Sequence, residues 1–136
     1  MSALSNYLEN ALINHVLRNT ALTTPGTSVY VGLIKFYETD KLEADRAIET
    51  TLNSLFLGEQ HKMSSGSYAR VQVTAWDAPS NGATQNTGAT TFPTSTADWG
   101  MVSGVFVADA STSGNVLLHG SLTSVRDVNS GDVFKF

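Results

Sequence analysis

The hydrophobic period of the chain changes at Thr27, and that change limits the folds open to it. Before it, Leu4, Leu8, Ala11, Leu12, Ile13, Val16 and Leu17 recur at three- and four-residue spacing. Glu9, Asn10, Asn14 and Arg18 fill the other face, the pattern of an amphipathic helix. From Thr27 to Tyr37 the run is β-branched and aromatic, the signature of a strand. Further strand-like runs follow at 68–76, 89–92, 101–108, 116–123 and 133–136, with turn clusters at 78–82, 93–96, 109–115 and 129–132. No helical crossover joins these later runs, which argues for antiparallel pairing and against a parallel α/β sheet. The expected fold is mainly β: an antiparallel β-sandwich, Ig-like or jelly-roll-like. An N-terminal helix over 1–20 precedes it, capped by Ser2 or Ser5 and stopped by Asn19-Thr20 and Pro25-Gly26. At 136 residues the chain suits a single domain spanning 1–136.

Residues 38–66 break this rhythm. They hold 9 of the 20 charged side chains: Glu38, Asp40, Lys41, Glu43, Asp45, Arg46, Glu49, Glu59 and Lys62. Asp40 and Glu43 have the spacing of a capping pair. Ile48, Leu52, Leu55 and Phe56 then fall at helical spacing, and Gly58 can end the helix. The pattern predicts an inserted helical arm, with its helix over roughly 41–57. Its apolar cluster Leu52, Leu55, Phe56 and Leu57 calls for cover, from the arm's own domain or from a partner.

Charge and composition exclude several functions. The net charge of -4, of which -3 lies within 38–66, argues against nucleic acid, because neutralising phosphates takes clustered Lys and Arg. The absence of cysteine removes disulfides, thiolate zinc sites and thiol catalysis. No apolar run reaches the roughly 18 residues of a membrane-spanning helix, and the opening residues lack the basic and apolar regions of a secretory signal. His15, His61 and His119 sit at no metal-ligand spacing. The 31 Ser and Thr residues allow a Ser-His-Asp set to be drawn on paper, but no G-x-S-x-G elbow supports one. The expectation is a protein without catalytic site, metal or cofactor. Trp76 and Trp99 flank apolar strands, where an indole usually closes a core; the alternative is stacking on a sugar ring.

Several phrases, in a fixed order, carry a resemblance. They are Ser5–Thr20 (SNYLENALINHVLRNT), Val29–Leu33 (VYVGL), Gly66–Val71 (GSYARV), Thr91–Thr94 (TFPT), Ala97–Gly100 (ADWG), Gly114–Leu118 (GNVLL) and Asn129–Asp132 (NSGD). Together they resemble a family of small bacteriophage virion proteins, labelled tail-fibre-like and in some phages serving as capsid cement. The family has a short turn where this chain has 38–66, and it continues past the Asn129–Asp132 turn with one further strand. The resemblance implies a structural protein of the virion. The first expectation from it is a capsid cement or decoration protein on the outer capsid surface, bound to the major capsid protein and to copies of itself. The alternative is a tail-fibre or tail-tip host-attachment protein. Contacts with the capsid or with another subunit are expected among Leu4, Leu8 and Leu12 of the helix, Ile48, Leu52, Leu55, Phe56 and Leu57 of the arm, and Val133, Phe134 and Phe136 at the C-terminal edge. An unpaired sheet edge there would invite another chain.

Overall fold

The computed structural model describes residues 2–22, 29–35 and 66–135. The inserted arm expected at 38–66 therefore lies outside the described residues, save Gly66. Within them the elements are β1 (Ser2–Leu4), α1 (Asn6–Arg18), β2 (Val29–Ile34), β3 (Val71–Val73), β4 (Gly100–Ala108) and β5 (Val116–Val128). The strands form one antiparallel sheet in the order β1-β5-β4-β2-β3. The mainly β class, the antiparallel pairing and the N-terminal helix are as the sequence implied.

Helix α1 starts where Ser5 switches from extended backbone (φ -73°, ψ 155°) and its hydroxyl accepts the Leu8 N–H at 3.2 Å. The Ser5 backbone N–H donates to the Leu117 carbonyl at 2.9 Å, tying the start of the helix to β5. The helix ends at Asn19 in the left-handed region, φ 52°, a conformation asparagine tolerates better than most residues. The residues before Ser5 are not helical. Leu4 was expected on the helix but belongs to β1, paired with Leu118 of β5. Standing just before the cap, Leu4 keeps the spacing of the apolar stripe without sharing the helical backbone.

One face of the sheet carries the main core. Val31, Leu33, Val73, Val102 and Val128 from the strands meet Phe92, Trp99 and Phe134, which come from outside them. A register shift between Val102 and Gly104 places both Val102 and Val105 toward this cluster. Tyr68 joins the aromatic residues, edge-on to Trp99 (centroids 5.4 Å apart) and stacked with Phe92 (6.2 Å), while Phe92 meets Phe134 edge-on (5.8 Å).

Among the described residues this cover is not a second sheet. Two irregular segments, 90–99 and 129–135, lie over the core and bond to each other and to β5. Phe92 N–H donates to the Phe134 carbonyl (2.9 Å), Ser95 N–H to that of Asp132 (2.9 Å), Gly131 N–H to that of Ser95 (2.7 Å) and Trp99 N–H to that of Val128 (2.8 Å). Strands expected at 89–92 and 133–136 shrink to a single rung, Thr91 with Lys135. The reason lies in the intervening chemistry: Pro93 has no N–H to donate, and the tight turn at Asn129–Asp132 bends the other segment.

Candidate functional surface

Three surface features bear on function. The first is α1. It touches the sheet through β5, and none of its residues is fully buried. Leu8 and Leu12, expected at a contact, are half-buried. Ile13 (54% exposed), Val16 (73%) and Leu17 (77%) turn an apolar patch outward at the C-terminal half of the helix. That end is fixed by Arg18, whose Nη1 donates to Asn14 Oδ1 at 3.2 Å, and by His15, whose Nδ1–H donates to the Thr20 carbonyl at 3.0 Å. Leu4 and its strand partner Leu118 are also exposed.

The second feature is the C-terminal edge. β1 pairs with β5 only at Leu118–Gly120, so the outer side of β5 beyond that point has no strand beside it among the described residues. A groove of about 490 Å³ runs there, lined by Leu122, Arg126, Asp127, Asp132, Val133 and Lys135 among others. Val133 is exposed, as a contact residue would be. Phe134, expected at the same contact, is instead buried in the core against Phe92. The contact was expected because the terminal segment was read as an open sheet edge, whereas the backbone bond from Phe92 to Phe134 draws this segment over the core. Ile48, Leu52, Leu55, Phe56, Leu57 and Phe136 lie outside the described residues.

The third feature was not expected. The strand beginning near Tyr68 is regular only over Val71–Val73, and the chain then leaves the sheet in a hairpin. Asp77 N–H donates to the Gln85 carbonyl (2.9 Å) and Thr87 N–H to that of Ala75 (3.1 Å). Ser80 and Ala83 exchange both backbone bonds at the tip. The two residues between them, Asn81 (φ 51°) and Gly82 (φ 76°), are both left-handed, as a type I′ turn requires. Trp76 stands opposite Asn86 and is 40% exposed, while Trp99 is buried at 1%. Core placement therefore holds for Trp99 and fails for Trp76, which is carried off the sheet by the hairpin.

Two partly buried polar side chains beside the sheet, Tyr68 and Arg70, bond to its backbone and turns. Leu33 lies past the end of the β2–β3 pairing, and its N–H donates to the Tyr68 hydroxyl at 2.9 Å. Burial pushes the Tyr68 pKa up, with that bond and the nearby Arg70 charge acting the other way. Burial likewise pushes the Arg70 pKa down, against the Tyr68 oxygen and the Asp109 carboxylate. Arg70 lies over the Phe106 ring at 5.0 Å and donates from Nη1 to the carbonyls of Ala110 and Ser113, both at 2.8 Å. The β4–β5 turn it grips is also closed by Asp109, which accepts from the Asn115 backbone N–H (2.6 Å) and side-chain amide (2.8 Å). Of the histidines, His15 is exposed and His119 is buried within β5, deeper than its sequence context suggested; His61 lies outside the described residues. Among the described residues no three His, Asp or Glu side chains come together as metal ligands. No helix among them is long and apolar enough to cross a membrane.

A family model described as podophage GP4 fiber I protein gp80 matches residues 3–136. A comparison with curated proteins finds no match.

Proposed function

The chain belongs to the family of the podophage GP4 fiber I protein gp80, a bacteriophage virion structural protein family of tail-fibre-like character, and from that premise we propose that it is a fibre component contributing to host attachment. The observation that carries this reading is the family match over residues 3–136. The fold suits the role. A sheet with a packed aromatic core gives a rigid body, and the hairpin that leaves it carries an exposed indole. An attachment module works by binding, so the role assigned to the chain needs no catalytic residue, metal or cofactor.

A second reading is capsid cement on the outer capsid surface, with the major capsid protein and further copies of the chain as partners. It is favoured by the outward apolar patch of α1, Ile13, Val16 and Leu17, which a capsid lattice could cover. Copy number per particle separates the two. Quantitative mass spectrometry of purified virions is expected to give a handful to a few tens of copies, with antibody labelling at the tail. Hundreds of copies, labelled over the head, would replace the fibre reading with the cement reading.

A further inference from the structure

The hairpin holding Trp76 is braced by contacts other than that side chain. Its tip is closed by the Asn81-Gly82 turn. Near its base, the Asp77 carboxylate accepts from Gln85 Nε2 at 2.8 Å and Thr87 Oγ1 at 3.1 Å, and the Thr84 hydroxyl donates to the Asp77 carbonyl at 2.7 Å. Across residues 75–90 Trp76 is the single large apolar side chain and Asp77 the single charge. Everything else is small or carries a hydroxyl or amide: Ser80, Asn81, Thr84, Gln85, Asn86, Thr87 and Thr90.

The two pairs next to each other across the hairpin divide the work. Asp77 and Gln85 face one another and brace the backbone through their side chains. Trp76 and Asn86, one position along, occupy the opposite face. Asn86 is itself held, its Nδ2 reaching the Thr90 hydroxyl at 3.4 Å. The result is an indole on a braced two-stranded support, beside a positioned amide.

The chemistry of this surface narrows its ligand. A flat apolar ring beside an amide matches the C–H face and hydroxyl edge of a pyranose. The one charge within 75–90 is negative, which disfavours phosphates and nucleic acid. An apolar peptide would need neighbouring apolar side chains at several positions, and 75–90 offers none besides Trp76. We propose that the Trp76–Asn86 face of this hairpin is a saccharide-binding site for uncharged hexopyranose units, Trp76 stacking on the sugar ring and Asn86 bonding its hydroxyls. This deepens the attachment role and rests on it for the biological source of the sugar.

The two tryptophans supply the assay, since Trp99 is buried and Trp76 is accessible to a quencher. Acrylamide quenching of the full chain is followed with methyl glucoside, methyl galactoside, N-acetylglucosamine and polysaccharide extracted from the host surface. At least one of these is expected to shield Trp76. Trp76→Ala, its fold verified by circular dichroism, should bind the same saccharide roughly tenfold or more weakly, the loss of one stacking contact, and Trp76→Phe should bind at an intermediate level. Failure of every probe to bind the native chain, or equal binding by Trp76→Ala, would overturn the site. Whole-cell binding keeps the two levels apart. Native protein and Trp76→Ala adhering equally to host cells would discard the site and leave attachment standing. Native protein that adheres to no host cell, yet is shielded by a sugar, would discard the attachment role instead.

Discussion

The ring of Phe106 fills the space that a side chain at Gly32 would need. The two residues are paired across β2 and β4, and a Cβ on Gly32 would fall 2.2 Å from Phe106 Cζ. Gly32 is thus a strand residue whose missing side chain leaves room for the far end of an aromatic ring from the next strand. Arg70 then covers that ring from above.

Gly32→Ala should destabilise the protein by about 1–3 kcal/mol, the usual cost of overpacking a filled site. The loss should appear as a lower urea midpoint with little change in slope. Phe106→Leu in the same background should restore part of it, because the clash is with the ring.

Arg70→Met keeps the length of the side chain and removes its charge and donors. It should free the Ala110 and Ser113 carbonyls and cost about 1–3 kcal/mol, the range for hydrogen bonds from a charged group. Amide exchange at Gly114 and Asn115 should rise more than exchange at the centre of β4. Uniform acceleration would mean that Arg70 serves the sheet and not the turn.

Tyr68 predicts an alkaline limit to stability. Its pKa in the folded chain is raised by burial, so the unfolded chain loses this proton first as pH climbs. Its contribution is complete below the ordinary tyrosine pKa of about 10 and is lost as pH rises through the higher folded value. Tyr68→Phe should therefore fall less steeply in melting temperature above about pH 10 than the native chain. At neutral pH the same variant should be about 1 kcal/mol less stable, because the Leu33 N–H loses its acceptor.

Leu17→Lys tests whether the outward patch of α1 meets another protein. The side chain is 77% exposed, so stability should stay within about 0.5 kcal/mol of the native value. A cation also suits the last turn of the helix. On the proposed assembly role, incorporation of the variant into particles should drop, measured by its copy number per virion against the native chain. Normal incorporation would leave the patch without an assembly role.

The parts of the fold legible in the sequence were those with a period. Leu8 to Leu17 repeat at helical spacing behind Ser5, and α1 follows them closely. The β-branched runs of β2, β4 and β5 likewise declared themselves. β1 did not, because three residues show no period and its stability comes from a partner over a hundred residues away. The core cover was hidden for a different reason. Phe92 and Trp99 stand among Thr, Pro, Ser, Ala and Asp, Phe134 lies in a short run at the far end of the sequence, and only long-range backbone bonds bring the three together. Trp76 and Trp99 look alike in sequence, each at the end of an apolar run. What separates them is the Asn81-Gly82 turn, which was legible as a turn but not as the tip of a hairpin leaving the sheet.

The pairing of Leu4 with Leu118 also sets a clock on biosynthesis. At about 5–20 residues per second, on the order of ten seconds separates translation of the first strand from that of its partner. Phe134, which packs against Phe92, emerges later still. The strand made first is therefore docked among the last, and the core closes only when nearly all of the described sequence has left the ribosome. Until Phe134 has emerged, a nascent chain carries its first strand and helix without the partners that complete the sheet and its core.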